Sequence, residues 1–253
     1  MLFRSSRAHE TIDGKVTGEK RIPHTDWAWA KCGGEHPPFP GTPDDHHICL
    51  KNGFDAKLAY QLVYTAKDPY VLGIGFAAVR DLVSFLKHEN ADAKGVANPA
   101  RGVKHALGFG ISQSGRFLRD FVYQGFNQDE GARKVLEGAL AHTGGVGGVF
   151  LNAEFGQPAR TNTQFEDHLM PENAFPFSAA HMTDPVTGKT DSILRNDGFD
   201  PLWFESNTST EYWQKGASML TTDPLGTKDV TLPDAARVYL IAGTQHAGQA
   251  WMT

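Results

Sequence analysis

A serine flanked by small residues stands at a predicted change of secondary structure, in the stretch Gly108-Phe109-Gly110-Ile111-Ser112-Gln113-Ser114-Gly115-Arg116. The run Ala106 to Ile111 predicts a buried strand, and the run Phe117 to Phe126 predicts a helix. On so sharp a turn from strand to helix, the residues two before and two after the serine must be small, because the two backbone segments pass close together. Gly110, Ser112 and Ser114 have this spacing. The chain is therefore constrained to a strand-turn-helix unit that presents a serine.

Ser112 is the candidate nucleophile on this turn. If Ser114 were the nucleophile, Arg116 would stand where a small side chain is required. The backbone N–H of Gln113 lies at the start of the predicted helix, where it can hold a developing oxyanion. A serine that only caps the helix is the alternative interpretation. A phosphate-binding loop is disfavoured, because the Gly-Lys-Ser/Thr of a P-loop and the three-glycine spacing of a dinucleotide site are both absent.

The elements around this turn alternate between strand and helix, which is typical of a parallel sheet. Further strands are predicted at 60–65, 136–143, 202–206 and 237–242. Further helices are predicted at 74–87 and 211–220. In the first of these helices the predicted apolar face consists of Ile74, Ala78, Leu82, Phe85 and Leu86. The predicted fold class is α/β, with a doubly wound, mostly parallel sheet.

The length of 253 residues favours a single domain over residues 1–253. Residues 1–58 are interrupted by prolines and glycine pairs and are predicted to be irregular. Residues 151–200 carry prolines and aromatic residues without a clear element, which predicts a lid-like insertion. The candidate substrate-binding residues of this insertion are Phe155, Phe165 and Phe177.

A nucleophilic serine needs a base, because its hydroxyl is almost never ionised near neutral pH. His246 lies in a loop of small residues that follows the last predicted strand. His142 also follows a predicted strand and ranks second, because it precedes every plausible acid in the order serine, acid, histidine.

The third member should be a carboxylate that fixes the tautomer of the imidazole. Glu211 is favoured, since it comes shortly after the strand at 202–206. Thr208 and Glu211 also match a capping box, in which the glutamate would only cap its own helix. Asp200 and Glu205 remain alternatives for the acid.

Charge and metal-ligand patterns exclude several other functions. The formal net charge of -5 argues against a nucleic acid or an anionic membrane as a partner reached by charge. The run Asp44-Asp45-His46-His47 is interpreted as a solvated turn rather than a metal site, because adjacent loop residues seldom converge on one ion. Arg116 lies near a helix N-terminus, where a cation opposes the macrodipole. It is expected to pair with a buried carboxylate or, as the second choice, to meet an anionic group of a substrate.

Cys32 and Cys49 are close enough in sequence to form a disulfide if the compartment is oxidising, and the sequence leaves this open. No predicted signal peptide or membrane span is found in the sequence. The expectation is a cytoplasmic protein by default, or an extracellular or periplasmic one if the chain belongs to a longer protein.

Four segments together resemble the α/β-hydrolase superfamily of serine-esterase type, and most nearly a bacterial branch described as alpha/beta hydrolase domain-containing proteins. They are Gly110 to Arg119, Gly75 to Asp81, Ser209 to Trp213 and Gly243 to His246. The resemblance implies a serine hydrolase with Ser112 as nucleophile, His246 as base and an acid between them. The Ser-Gln pair is also similar, more loosely, to the turn of cutinases.

The predicted function is hydrolysis of carboxylic esters through an acyl-enzyme, without a cofactor. The expected partner is a small-molecule or polymeric ester, and the oligomeric state is left open. The alternatives are an amide, lactone or carbon–carbon bond hydrolase on the same triad, or a non-catalytic binding protein with this fold.

Overall fold

The computed structural model describes residues 2–7, 9–10, 16–64, 67–68, 70, 73–149, 151 and 173–246. These residues form two compact units. The first contains the described residues up to Tyr70, and the second contains those from Gly73 onward. The single domain expected for residues 1–253 stays a prediction, and each unit is described by itself.

The first unit consists of short strands and one turn of 3₁₀ helix at His24–Asp26. Its strands are β1 (Leu2–Arg7), β2 (His9–Glu10), β3 (Val16–Thr17), β4 (Lys20–Arg21), β5 (Trp27–Lys31), β6 (Thr42–Leu50) and β7 (Ala59–Val63). Strand β1 lies between β4 and β7, β2 pairs with β3, and β5 pairs with β6; all these pairs are antiparallel.

The hairpin β5–β6 corrects the prediction that residues 1–58 are irregular. Its pairing register passes from Ile48 directly to Pro43, so residues 44–47 bulge out of the ladder. Prolines 37, 38 and 40 lie in the connection between the strands, where no ladder N–H is needed. A disulfide joins Cys32 to Cys49 across the hairpin. Sequence patterns missed these strands because the bulge and the prolines interrupt their alternation.

The strand predicted at 60–65 is present as β7, but it does not join the parallel sheet. It pairs antiparallel with β1 in the first unit. Alternation along the chain indicates that a strand exists and leaves its pairing partner undetermined.

The second unit is built on a four-stranded sheet in the order β13-β12-β9-β8, with every pair parallel. Its strands are β8 (Leu107–Ile111), β9 (Gly138–His142), β10 (Met182–Thr183), β11 (Thr190–Asp191), β12 (Leu202–Thr208) and β13 (Ala236–Ile241). Its helices are α1 (Ile74–His88), α2 (Gln113–Tyr123) and α3 (Ser209–Gln214), with a 3₁₀ turn at Ala217–Leu220. This confirms the α/β class and the parallel sheet. All four carboxyl ends meet at one edge, and α2 and α3 both begin there.

The main core lies on one face of this sheet. Leu118, Phe121 and Val122 of α2 pack with Trp203 of β12. Phe76 of α1 stacks on Phe117 of the same helix. The inward face of α1 is therefore not the predicted one, since Ile74 and Leu82 are exposed while Phe76, Val79 and Val83 face the core. Two apolar stripes run along this helix at helical spacing, and only tertiary packing selects between them.

Strand β8 is less buried than its apolar sequence predicts. Leu107 is 79% exposed and Phe109 is 63% exposed, and Leu202 of β12 is 70% exposed. Continuous apolar runs are typical of strands with both faces covered. Within the described residues, these side chains lie on the face of the sheet opposite the main core.

The helix predicted at 211–220 is divided into α3 and the 3₁₀ turn. Gly216 separates them with a φ of 64°, which a continuing helix does not allow. Of the predicted lid-like insertion, residues 152–172 lie outside the described residues. The remainder carries the small β10–β11 hairpin and contributes Ala179, Ile193 and Leu194 to the core.

Candidate active site

The turn between β8 and α2 holds Ser112 in an uncommon backbone conformation. Its φ of 57° and ψ of −118° lie outside the regions that most residues adopt. A Cβ atom added at Gly110 would lie only 2.2 Å from the carbonyl oxygen of Ser114, and one added at Gly115 would lie 3.0 Å from that of His142. The close approach of backbone segments that motivated the small-residue pattern is thus present.

The hydroxyl of Ser114 forms hydrogen bonds within the turn. It donates a hydrogen bond to the carbonyl of Ile111 at 2.8 Å and accepts one from the N–H of the same residue at 3.0 Å. The N–H of Ser112 donates to the carbonyl of His142 at 2.8 Å, which ties the turn to the end of β9. Ser112 is therefore the serine of the pair whose hydroxyl is directed to other side chains.

The structure brings Ser112, His246 and Glu211 together in one run of hydrogen bonds. The distance from Ser112 Oγ to His246 Nε2 is 2.8 Å. The distance from His246 Nδ1 to Glu211 Oε1 is 2.5 Å. These residues follow β8, β13 and β12, so the common edge of the parallel strands positions all three. The arrangement allows the imidazole to accept the serine proton while the carboxylate holds its far nitrogen.

Glu211 makes the contacts that each of its two sequence interpretations requires. Its Oε2 accepts hydrogen bonds from the backbone N–H of Thr208, at 3.1 Å, and from the Thr208 hydroxyl, which is the capping box of α3. Its Oε1 contacts His246. Burial raises the pKa of Glu211, but the hydrogen bonds from Thr208 and His246 outweigh burial and hold this pKa below its ordinary value. The carboxylate is thus kept ionised beside the imidazole.

The alternative acids and the alternative base lie elsewhere. Glu205 is buried against Arg119, with Oε1 at 2.5 Å from Nη1, and also accepts from the indole N–H of Trp203 at 2.6 Å. The carboxylate of Asp200 accepts the backbone N–H groups of 195 and 196 in a turn. His142 Nδ1 lies 2.8 Å from the hydroxyl of Ser206.

Arg116 lines a pocket beside the candidate nucleophile. Arg119, one turn further along α2, pairs with the buried carboxylate of Glu205. The pairing that the sequence favours for Arg116 itself stays a prediction. Burial lowers the pKa of Arg116, and Asp120 opposes that shift. Arg116 is therefore a half-buried residue of the pocket lining with Asp120 nearby.

The pocket has a volume of about 150 Å³. Its lining consists of Ser112, Arg116, Thr143, Gly144, Thr210, Glu211, Lys215 and His246. A larger cavity of about 630 Å³ lies between the β10–β11 hairpin and residues 223–231, and none of the three hydrogen-bonded residues lines it. The smaller pocket is the one that contains Ser112 and His246, so it is the candidate site for chemistry.

The remaining predicted site residues have different positions. Gln113 is the first residue of α2, where backbone N–H groups point out of the helix end. Phe177 packs with Val146 and Leu220 in a small apolar cluster and is not part of the pocket lining. Phe155 and Phe165 lie outside the described residues.

Sequence patterns missed Thr143 and Lys215. Thr143 directly follows β9 at the carboxyl edge of the sheet, and this position was the available signal. No sequence pattern indicated that Lys215 lines the pocket, because its position depends on the break between α3 and the 3₁₀ turn. Among the residues from 16 onward that the structure describes, no cluster of three or more metal-ligating side chains occurs. Nor does any helix of the described chain have the length and apolar character needed to cross a membrane.

A protein-family model described as "Alpha/beta hydrolase domain" matches residues 4–252. Neither the comparison with curated proteins nor the comparison with solved structures finds a match.

Proposed function

This chain belongs to the alpha/beta hydrolase domain family, and we propose that it is a serine hydrolase that cleaves carboxylic esters. The observation that supports the proposal is the continuous run of hydrogen bonds from Ser112 through His246 to Glu211. Such a run activates a hydroxyl that is otherwise a weak nucleophile.

The first half of the reaction transfers the acyl group to the enzyme. Ser112 Oγ forms a bond to the ester carbonyl carbon while His246 Nε2 accepts the hydroxyl proton. The carbonyl oxygen becomes an oxyanion beside the N–H of Gln113 at the start of α2. When the carbonyl re-forms, the bond to the alcohol oxygen breaks, and the imidazolium gives its proton to the leaving alcohol.

The second half regenerates the enzyme. A water molecule gives a proton to His246 Nε2 as its oxygen bonds to the acyl carbon. The bond to Ser112 Oγ then breaks, and the serine recovers its proton from the imidazolium. The net reaction consumes one ester and one water and releases one acid and one alcohol, and it requires no cofactor. Throughout, Glu211 keeps the Nδ1 proton of His246 in place and stabilises the imidazolium.

The test is the Ser112→Ala variant, assayed with 4-nitrophenyl acetate and with a fluorophosphonate probe. We expect loss of turnover by about 10³-fold or more and loss of the covalent adduct, because the nucleophile is absent. Ser218→Ala, at a serine outside the pocket, is the matched control and should retain both signals. Turnover that survives in Ser112→Ala removes this residue from the mechanism.

A substrate panel separates the related chemistries. If the fluorophosphonate labels Ser112 and the protein hydrolyses amides, lactones or carbon–carbon bonds but not simple esters, the same triad would have a different reaction. Folded wild-type protein without an adduct would indicate a binding protein that retains the fold.

For the compartment, we infer an oxidising environment rather than the cytoplasmic default. The support is the pairing of Cys32 with Cys49, since such bonds persist mainly in extracellular and periplasmic proteins. Thiol titration of the protein isolated from its source cells, with and without prior reduction, tests this. Two thiols that react before reduction would contradict it.

A further inference from the structure

Two cations line the pocket in which Ser112 lies. They are Arg116 of α2 and Lys215, which follows α3. The one carboxylate among the described lining residues is Glu211, and both of its oxygens are engaged by Thr208 and His246. Apart from the three hydrogen-bonded residues, the charged residues of the described lining are thus Arg116 and Lys215, and Asp120 lies near Arg116 outside the lining.

The loop after β9 fixes the positions of these two cations. A Cβ atom added at Gly144 would lie 3.7 Å from Cγ of Arg116. One added at Gly145, whose φ is 61°, would lie 2.6 Å from Cβ of Lys215. The stems of both side chains thus pack on consecutive glycines. Both residues line the pocket that contains Ser112.

Thr143 supplies a further polar group to the same pocket. Its side chain is 2% exposed, and its hydroxyl has no hydrogen-bond partner in the structure. Its φ of 52° is uncommon for a β-branched residue. A buried hydroxyl without a partner is costly, so a ligand that accepts its hydrogen bond is favoured.

We propose that the ester hydrolysed here carries a carboxylate close to the scissile bond, and that Arg116 and Lys215 bind this group with the help of the Thr143 hydroxyl. The inference rests on the proposed esterase function and specifies its substrate class. Arginine and lysine complement a carboxylate by charge-assisted hydrogen bonds. The volume of about 150 Å³ is below the range of pockets for drug-sized ligands, which favours a short acyl or alcohol group.

The experiment compares pairs of esters that differ only in charge. Monoethyl succinate and ethyl succinamate place a carboxylate or a neutral amide of the same shape on the acyl side. Acetoxyacetate and acetoxyacetamide do the same on the alcohol side. Hydrolysis is followed by alkaline titration, and each rate is divided by the rate of that ester with hydroxide alone. We expect kcat/KM to favour the carboxylate of at least one pair by about tenfold or more, because hydrogen bonds to charged groups are the strong ones.

Variants then assign the preference to named residues. Arg116→Met and Lys215→Met should each reduce the ratio of acid to amide toward one, through a higher KM for the acid. Lys215→Arg should retain the preference, and Thr143→Val should reduce it less. Lys104→Met, an exposed lysine that does not line the pocket, removes the same charge and should leave the ratio as in the wild type. Because the readout is a ratio, a general loss of folded protein does not alter it.

The outcomes separate this inference from the function on which it depends. A fluorophosphonate adduct on Ser112 together with ratios near one for both pairs would overturn the carboxylate preference alone. A tenfold preference that persists in both methionine variants would also overturn it. A folded wild-type protein without an adduct would overturn the esterase and the carboxylate preference together.

Discussion

Glu211→Gln separates the proposed catalytic role of this carboxylate from its role in capping α3. In the native protein Oε2 accepts two hydrogen bonds from Thr208, and Oε1 lies 2.5 Å from His246 Nδ1. A glutamine amide has one oxygen that accepts and one nitrogen that donates. Since both Thr208 groups donate, the amide oxygen should turn toward Thr208 and the amide nitrogen toward His246.

The imidazole would then be held in the wrong tautomer. An amide N–H facing Nδ1 requires this nitrogen to accept, which places the ring proton on Nε2. Nε2 lies 2.8 Å from Ser112 Oγ and must be free of a proton to act as the base. We expect kcat to fall by about 10⁴-fold, the loss typical of a wrong tautomer, which corresponds to about 5 kcal/mol in activation free energy.

Stability should change much less than activity. The glutamine retains the hydrogen bonds that cap α3, so its free energy of unfolding in urea should stay within about 1 kcal/mol of the wild type. Glu211→Ala is the matched comparison and removes the acceptor for two Thr208 donors that are buried. It should cost about 2–6 kcal/mol, since each of the two buried donors without a partner costs about 1–3 kcal/mol.

The assay is ester hydrolysis at saturating substrate, with urea unfolding of the same samples. A glutamine variant whose kcat lies within tenfold of the wild type would refute the orienting role of Oε1. Equal destabilisation by glutamine and by alanine would refute the capping role of Oε2.

Three further predictions concern the turn, an acidic group and the disulfide. Gly110→Ala should lower the free energy of unfolding by about 1–3 kcal/mol and abolish activity, because the added Cβ would lie 2.2 Å from a backbone oxygen. Gly75→Ala is the control, since a Cβ added there has nothing within 4 Å; it should be neutral or stabilising by about 0.4–1 kcal/mol. Thermal unfolding of both variants measures this. Burial raises the pKa of Asp129, but hydrogen bonds from Ser84 and Arg133 outweigh burial and lower it from 3.8 to about 2. The ionised group therefore contributes about 2 kcal/mol above pH 4, lost as the pH falls toward 2, and Asp129→Asn should be destabilising at pH 7 and not at pH 2 in urea titrations. Replacing Cys32 and Cys49 by serine should cost about 3 kcal/mol, measured against the oxidised wild type, because the closed loop spans 17 residues.

Each of these has an outcome that contradicts it. Gly110→Ala and Gly75→Ala with equal melting temperatures would mean that the turn adjusts freely. A constant difference between Asp129→Asn and the wild type from pH 7 to pH 2 would assign its effect to packing instead of charge. If the double serine variant has the same melting temperature as the oxidised wild type, the disulfide constrains little of the unfolded chain.

The turn at Ser112 and the loop at His246 could be predicted because their signals are local. Small residues at fixed offsets report a close backbone approach, and the last strand is marked by its own apolar run. The pairing of β7 with β1 could not be predicted, since a short β-favouring run indicates a strand without indicating which strand pairs with it. The hairpin β5–β6 was hidden by a bulge at 44–47 that places charged residues within an extended segment.

Lys215 was missed for a related reason. A continuous helix from 211 to 220 would carry residue 215 one turn beyond Glu211 on the same face, and the pattern gave no reason to end it. The break comes from the αL conformation of Gly216, with Val146 donating its N–H to the Lys215 carbonyl at 3.1 Å. A tertiary hydrogen bond from the loop after β9 therefore helps determine where this cation lies.

The sequence favours Glu211 as the acid but leaves alternatives open, because one motif supports two roles. A capping box by itself explains a glutamate three residues after a threonine, so the pattern gives no reason to assign this glutamate a second function. The described geometry shows that the roles do not compete, since the cap occupies Oε2 and leaves Oε1 directed at His246. The cap also fixes the carboxylate on the first turn of α3, with Oε1 held 2.5 Å from His246 Nδ1. A capping glutamate that follows a strand at the carboxyl edge of a parallel sheet is thus a better candidate for the acid than an uncapped one.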